Sequence, residues 1–316
     1  MDLEVVDLDL APDDLVDRVD RACRSVGFFL LRSSAIPVAV ADEAWKQASS
    51  FFELADDEKA AVGFPEAGYP YGYSPFQFET LSASIDEGGS PADLKESFSV
   101  GPDCLGSPPE DMSDPDEIWI RSQSLWPSQL PALRPAWEAY FRAMADVSAQ
   151  LLSVMALALE LPADHFEPLI DRHTSAMRAL NYPAITASTL APDSLRAGAH
   201  TDYGTLTILR TDDVPGLQVS LDGQWHDVGR TPGTYVVNLG DSIAQWTNDR
   251  WRSTMHRVLP NDPSPRQSMA FFHMANWDAW IECLPTCLET GEKPRHEPVQ
   301  AGPWLMSKFQ STVGLD

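Results

Sequence analysis

A histidine and an aspartate stand two positions apart, directly before a strand-like run of the chain. His200 and Asp202 occur in AGAHTDYGTLTIL, where threonine and aliphatic residues alternate from Thr205 to Leu209. In extended backbone, positions i and i+2 point the same way, so both side chains can face one point. Imidazole and carboxylate groups both ligate metals, but two ligands do not complete a coordination shell. The spacing therefore predicts a metal site whose third ligand comes from a neighbouring strand.

The candidate for the third ligand is His256 in NDRWRSTMHRVLP, just before a strand-like RVL. Two imidazoles and one carboxylate on one face of a metal leave about three positions open, an arrangement typical of non-haem iron(II) oxygenases. The open positions let a co-substrate and dioxygen reach the iron. Zinc accepts the same three ligands, so a zinc hydrolase stays open from these residues alone.

A receptor for a carboxylate follows ten residues after His256, in RQSMAFF. Strand alternation puts Arg266 and Ser268 on one face, opposite Gln267. A guanidinium pairs a carboxylate through two parallel hydrogen bonds, and a neighbouring hydroxyl adds a third. The apolar residues that follow indicate that Arg266 points inward, where a buried arginine needs an anionic partner. That partner is either a bound carboxylate ligand or an Asp or Glu of the protein.

The composition is that of a globular protein with a strongly acidic surface. The 316 residues are 43% hydrophobic, and 47 Asp and Glu against 22 Lys and Arg give a net charge of −25. Such a surface repels phosphate backbones, so nucleic acid is not an expected partner. No apolar run approaches the roughly 20 residues of a membrane helix, and the acidic amino terminus does not resemble a signal peptide. We therefore expect a cytoplasmic protein, monomeric by default, with no membrane partner.

The chain divides into a helical first half and a β-rich second half. Apolar spacing predicts helices at about 12–27, 38–61 and 131–161. After Met177, seven short β-rich runs separated by turn signals predict a barrel or a two-sheet sandwich. A long stretch rich in Gly, Pro and aromatic residues separates the second and third helices, and its aromatics favour a segment that covers something over disorder. No linker divides the halves, so one compact unit is expected.

These motifs, with others in the same order, resemble the isopenicillin-N-synthase-like branch of the iron(II)/2-oxoglutarate-dependent oxygenases. The matching segments run through most of the chain as GFFLL, FFELADDEK, DLKESFSVG, LNYP, HTDYGTLTIL, GLQV, VVNLGD, WTNDRWRSTMHRV and RQSMAFF. The resemblance implies an α+β fold, mainly β in its core: a double-stranded β-helix (jelly roll) wrapped by N-terminal helices. We expect one oxygenase unit over residues 1–316, with a helical and lid region at 1–130. The long helix and the jelly roll that carries the metal site then occupy 131–316.

The resemblance also assigns roles to matching residues. The iron ligands fall on His200, Asp202 and His256, the Arg-x-Ser carboxylate clamp on Arg266 and Ser268, and a further co-substrate contact on Tyr182. Many relatives carry an Asn two residues before that tyrosine, where this chain has Leu180. Asn181 comes one step later, on the opposite face of a regular strand, so the contacts to the co-substrate's inner carboxylate differ from the usual pattern.

Substrate contacts are expected from scattered residues. Tyr203, Phe272 and Phe76 are candidates for lining the pocket, and Arg178 for meeting a substrate carboxylate, with a structural ion pair as the alternative for Arg178. The tyrosine-rich segment at 64–80 is the candidate lid over the substrate. Asn238 and Asp241 of VVNLGD are expected to shape a turn.

The resemblance implies an oxidoreductase that uses Fe(II), with 2-oxoglutarate and O2 as co-substrates. Oxidative decarboxylation of 2-oxoglutarate would drive hydroxylation, desaturation or ring closure of a small organic substrate, which we expect to be amino-acid-derived or an intermediate of secondary metabolism. The acidic surface hints at a cationic or amine-bearing compound. Two other interpretations stay open at this point: an isopenicillin-N-synthase-type oxidase that uses no 2-oxoglutarate, and a non-catalytic binding protein stapled by metal.

Overall fold

An eight-stranded sheet and a four-stranded sheet face each other and are wrapped on one side by helices. The computed structural model describes residues 1–66, 68–81, 91–110, 112–185 and 193–313. The helices are α1 Pro12–Ser25, α2 Val38–Phe52, α3 Asp56–Ala60, α4 Pro115–Ile120, α5 Leu133–Ala158, α6 Glu167–Ile170, α7 Asp241–Trp246 and α8 Ala301–Val313. The strands are β1 Val5–Asp7, β2 Phe28–Arg32, β3 Gly72–Ser74, β4 Glu96–Val100, β5 Ala176–Tyr182, β6 Ala197–His200, β7 Leu206–Thr211, β8 Leu217–Leu221, β9 Gln224–Asp227, β10 Tyr235–Leu239, β11 His256–Val258, β12 Arg266–His273, β13 Trp280–Ile281 and β14 Val299–Gln300.

The strand order is that of a jelly roll. The large sheet runs β1-β2-β10-β7-β12-β5-β4-β3 and the small sheet β6-β11-β8-β9. Neighbouring strands are antiparallel except for β1 and β2, which are parallel. A cluster of apolar side chains from β2 and β10 packs against side chains from β6, β8 and β11, so the two sheets enclose a common interior. This is the double-stranded β-helix that the resemblance implied.

Alternation along β12 decides which side chains enter that interior. Met269 and Phe271 belong to the core shared with the helices, and the Phe271 ring packs edge-on against Phe141 of α5 at 4.9 Å. Ala270 and Phe272 lie on the other face, in a cluster with Leu180 and Tyr182 of β5. Arg266 and Ser268 share that inner face, because strand side chains alternate. The inner face of the large sheet therefore carries the β5 and β12 side chains of the same parity.

The helix α5 is the centre of the outer layer. Among the described residues it is the helix that is long and apolar enough to cross a membrane, and just over half of its most apolar stretch is buried inside the protein. It packs against α1 and α2 and against the outer face of β12. The helix predicted at about 131–161 is confirmed. Glu138, Arg142 and Asp146 lie on its solvent-facing side and interrupt the apolar residues along the sequence, so no unbroken apolar run of membrane length is present.

The predicted helix at 38–61 is wrong in its middle. The chain breaks after Phe52 because Ala55 adopts extended backbone, and the Glu58 carboxylate accepts a hydrogen bond from the Ala55 N–H to start α3. The Gly- and Pro-rich stretch also holds more structure than expected, since β3 and β4 extend the large sheet. Ala67 of the predicted lid, and residues 82–90 of the same stretch, lie outside the described residues.

Candidate metal centre and co-substrate pocket

The structure brings His200, Asp202 and His256 together at one end of the jelly roll. His200 closes β6 and His256 opens β11, and the two residues pair directly across the strands. Their rings lie 4.3 Å apart between centroids. Asp202 Oδ1 lies 3.8 Å from His200 Nε2 and 4.0 Å from His256 Nε2. Ligand atoms of the three residues all fall within 4.8 Å of one another, which fits one metal ion.

Asp202 does not lie in the extended strand expected from the sequence. The strand β6 ends at His200, and Asp202 lies in the connection to β7. The backbone N–H of Asp241 donates to the Asp202 carbonyl at 2.8 Å and holds that connection in place. A turn fixed from the start of α7, and not alternation within a strand, therefore presents the carboxylate.

Both histidines are oriented through their second ring nitrogen. His200 Nδ1 lies 2.7 Å from the Gly198 carbonyl oxygen, and His256 Nδ1 lies 3.2 Å from that of Thr254. A carbonyl oxygen accepts, so each Nδ1 carries the proton and each Nε2 keeps a lone pair for a metal. The edge of Phe28 packs on the His256 ring at 5.4 Å and limits its rotation.

Two neighbouring strands hold the Asp202 carboxylate. Thr207 Oγ1 of β7 and Asn238 Nδ2 of β10 both donate to Oδ2, at 2.6 and 2.7 Å. Oδ1 is left on the side of the histidines. The expectation that Asn238 shapes a turn is wrong: it lies within β10 and acts on a ligand. Asp241 opens α7, where its carboxylate accepts from Ser253 at 2.6 Å.

The electrostatics favour the protonation states that bind a cation. Burial, and then the neighbouring His256, lower the pKa of His200 to about 3. Burial raises the pKa of Asp202, but His256, His200 and the hydrogen bonds from Asn238 and Thr207 outweigh it and bring that pKa below its ordinary value. At neutral pH, His200 is therefore a neutral donor and Asp202 is ionised, as metal ligation requires.

We expect Asn238→Ala to weaken iron binding without removing a ligand. Loss of the hydrogen bond frees the Asp202 carboxylate to rotate, and partners of this kind typically contribute a factor of about 10–100 to metal affinity. Competition against a chromogenic chelator measures the effect. Asn181→Ala is the matched control, because Asn181 lies on β5 and its amide donates to Glu96 on the outer face of the sheet. Equal affinities in the two variants would contradict this role for Asn238.

The Arg-x-Ser pair lies on the inner face of β12, with Arg266 opposite Tyr182 and Ser268 opposite Leu180 of β5. Arg266 is buried; its Nη2 donates to Thr211 Oγ1 at 2.8 Å and its Nε to the Val214 carbonyl at 3.3 Å. Its Nη1 is buried without a hydrogen-bond partner, and among the described residues no carboxylate lies within 4.0 Å of the guanidinium. Tyr182 pairs with Arg266 across β5 and β12, and the guanidinium carbon lies 5.0 Å from its ring centroid. A buried cation with an unused donor fits a ligand carboxylate.

The remaining predicted site residues occupy different surroundings. Phe272 lies in the inner cluster with Tyr182, whereas Tyr203 packs against Phe309 of α8 at 6.3 Å. Phe76 is half-buried just after β3. Arg178 pairs with Ala270 of β12, so it lies on the inner face of the sheet, and its Nη1 lies 3.1 Å from both carboxylate oxygens of Glu79. The structural ion pair weighed for Arg178 is therefore present.

A buried charge network connects that ion pair to the metal centre, and the sequence reasoning missed it. Lys95 Nζ contacts Asp93 at 2.7 Å and Glu79 at 3.3 Å. Asp93 accepts from the Gly198 N–H at 2.8 Å, and the Gly198 carbonyl orients His200. The sequence signal for this network was the charged run Asp-Leu-Lys-Glu at the start of a strand. Charged residues that become buried require partners of opposite charge, so such a run indicates an internal ion-pair network.

Comparison with known proteins agrees with this architecture. Residues 174–275 match the 2OG-Fe(II) oxygenase superfamily, and residues 2–129 match the N-terminal region of the non-haem dioxygenases in morphine synthesis. The chain is similar to the 2-oxoglutarate-Fe(II) type oxidoreductase hxnY of Emericella nidulans (31% identity over 95% of this chain and 85% of hxnY). It is also similar to homoarginine-6-hydroxylase 2-ODD-233 of Oryza sativa subsp. japonica (32% identity over 93% and 88%). A full-length Neurospora crassa protein, solved in complex with alpha-KG (2-oxoglutarate) and thymine, superimposes with a TM-score of 0.81 at 26% identity over 97% of this chain and 95% of that one.

Fold, donor set and relatives together define a class: the chain belongs to the 2OG-Fe(II) oxygenase superfamily. It is an iron(II)- and 2-oxoglutarate-dependent dioxygenase that oxidises a small molecule. These relatives favour that activity over an oxidase that uses no 2-oxoglutarate and over a non-catalytic metal-binding protein.

Proposed function

We propose that His200, Asp202 and His256 hold the iron, that Arg266, Ser268 and Tyr182 receive 2-oxoglutarate, and that the substrate is a zwitterionic compound such as an amino acid. The convergence of three ligand atoms within 4.8 Å carries the proposal for the metal. When bound, iron(II) and 2-oxoglutarate supply the oxidation of an unactivated C–H bond, coupled to oxidative decarboxylation. The monomeric state, the cytoplasmic location, the role in secondary metabolism and the boundary near residue 130 stay predictions.

The side chains of this chain supply position and exclusion of water. Asp202 brings one negative charge to the centre, so a divalent cation is only partly neutralised and keeps attracting anionic ligands. Arg266 fixes the far end of a dicarboxylate at the start of β12, which leaves its other end free to point toward the metal centre. Leu180, Ala270 and Phe272 form an apolar cluster on the same inner face as Arg266, which limits the access of water to that face.

The Arg178–Glu79 pair supports a zwitterionic substrate. Both side chains are partly exposed, 29% for Arg178 and 22% for Glu79, although Arg178 lies on the inner face of the sheet. Arg178 engages Glu79 through Nη1, while its Nε is buried without a partner. A substrate carboxylate would accept from Nε of Arg178, and an ammonium group would share Glu79 with Lys95, whose Nζ lies 3.3 Å from it. A homoarginine hydroxylase among the relatives, named for its amino-acid substrate, is consistent with this chemistry.

The test is succinate production with matched substrate panels. We expect free amino acids to stimulate succinate release, and their N-acetyl and amide derivatives to fail, because each derivative loses one charge of the zwitterion. Arg178→Gln should raise the KM of an active amino acid at least about tenfold while its 2-oxoglutarate KM is unchanged. Arg210→Gln is the control, since Arg210 forms an equivalent ion pair with Asp42 on the helix side. Stimulation by uncharged heterocycles alone, or equal KM values in the two variants, would contradict the assignment.

A further inference from the structure

A second arginine lies buried close to the proposed carboxylate clamp, and neither the sequence motifs nor the proposed iron site uses it. Arg196 directly precedes β6 and is fully buried. Its Nη2 donates to the carbonyl oxygens of Asp262, at 3.1 Å, and of Ser264. Its Nε and Nη1 are buried without partners. Among the described residues, no carboxylate oxygen lies within 4.0 Å of this guanidinium.

Arg196 and Arg266 share one aromatic neighbour. Their guanidinium carbons lie 6.0 and 5.0 Å from the centroid of the Tyr182 ring. Burial lowers the pKa of Arg196, and the charge of Arg266 lowers it further, as expected for two cations near each other. Two buried guanidiniums with three unused nitrogen donors between them form a site with a deficit of negative charge.

We propose that Arg196 is a second anchor for the far carboxylate of 2-oxoglutarate, sharing that group with Arg266 around Tyr182. This inference rests on the proposed function only in placing 2-oxoglutarate at Arg266. A carboxylate offers about four lone-pair positions, so it can accept from both guanidiniums and from the Ser268 hydroxyl. It also offsets the repulsion between the two arginines, which polar but uncharged carbonyl partners do not.

Sharing of this kind makes the pocket selective for dicarboxylate co-substrates. A 2-oxo acid that ends in a methyl group would leave both guanidiniums without an anion, and the site would lose two charge-assisted interactions at once. The ratio of affinities for 2-oxoglutarate and 2-oxovalerate therefore reports on the far carboxylate alone, because both compounds present the same 2-oxo acid end to the metal.

The experiment measures both dissociation constants by anaerobic titration of the Fe(II)-loaded protein, following the charge-transfer absorption of the complex. We expect Arg196→Gln to raise the Kd for 2-oxoglutarate at least about tenfold while the Kd for 2-oxovalerate and the iron affinity stay unchanged. Arg196→Lys keeps the charge but loses the paired N–H donors of the guanidinium. Its Kd for 2-oxoglutarate should lie between those of the unchanged protein and of Arg196→Gln. Protection of the apo-protein against heat by glutarate gives a second measurement and should shrink in both variants.

Arg121→Gln separates this role from a structural one. Arg121 is also buried, but it pairs with the Glu117 carboxylate at 3.0 Å and donates to the Arg172 carbonyl. We expect that variant to lose stability and to keep the wild-type ratio of the two constants. If the Arg196 variants behave like Arg121→Gln, the inference is wrong and the clamp at Arg266 stands. If Arg266→Gln also keeps the wild-type ratio, the proposed co-substrate site itself fails.

Discussion

Asp202→Ala will lose iron binding and turnover together. The variant removes the one anionic ligand and leaves two neutral imidazoles, so the fall in iron affinity should exceed the factor of about 10–100 expected for a hydrogen-bonding partner such as Asn238. Succinate release should fall to the background of the assay, because without bound metal the 2-oxo acid end of the co-substrate has nothing to ligate. Iron content after desalting and succinate formation are the two measurements.

The control for Asp202 is a histidine–aspartate pair that has no third metal ligand near it in the described part of the chain. Asp249 lies 2.9 Å from His296 at the surface, and Asp249→Ala should leave iron content and turnover unchanged. Loss of the acceptor for Thr207 and Asn238 will cost Asp202→Ala about 1–3 kcal/mol of stability, so its folding is checked by circular dichroism. A folded Asp202→Ala protein that retains stoichiometric iron and activity would overturn the assignment of this ligand.

Arg266→Ala should raise the requirement for 2-oxoglutarate sharply while iron stays bound. The guanidinium carries a full charge into a buried position, and its loss removes both the charge and the hydrogen bonds offered to the far carboxylate. A buried charge-assisted contact of this kind is worth about 2–5 kcal/mol, which corresponds to an increase of roughly 30-fold or more in the Kd for 2-oxoglutarate. The Kd is measured by anaerobic titration, and iron content is determined on the same sample.

Arg257→Ala is the comparison for Arg266. Arg257 lies next to the ligand His256 in β11, but its guanidinium stacks on Trp225 at 4.1 Å and donates to Gln218. It should bind 2-oxoglutarate as the unchanged protein does. A small increase in the Kd for 2-oxoglutarate in Ser268→Ala, in the same direction as in Arg266→Ala, would indicate that the two residues bind the same carboxylate. An unchanged 2-oxoglutarate requirement in Arg266→Ala would rule out the clamp.

The sequence was sufficient to predict the residues that meet at the centre but not the way in which they are held. His200, Asp202 and His256 were identified from ligand type, spacing and adjacent strand patterns, and the structure places their ligand atoms together. The support for Asp202 depends on the register between β7 and β10, where Asn238 lies opposite Thr207. Register between strands that are about 30 residues apart in sequence is set by packing, so neither residue had a local signal.

The buried charged residues were the second feature that the sequence did not predict. Glu96 lies in β4 with every residue of the strand buried, and it is tolerated because Lys59, Tyr73 and Asn181 all donate to it. A polar residue pattern of this kind is typical of a loop, and the strand was missed for that reason. Arg196 was passed over on similar grounds, since an arginine before a short strand is ordinarily a surface residue. Only the fold shows that these charges are internal.

The most direct test of the central claim is an anaerobic titration of Fe(II) into the metal-free protein with 2-oxoglutarate present. We predict a visible charge-transfer band whose intensity saturates at one iron per chain. The band should be absent in Asp202→Ala. In Arg266→Ala it should form only at higher concentrations of 2-oxoglutarate. A band of equal strength in Asp202→Ala, or iron bound with no band in the unchanged protein, would contradict a single iron held by His200, Asp202 and His256 with open positions for the co-substrate.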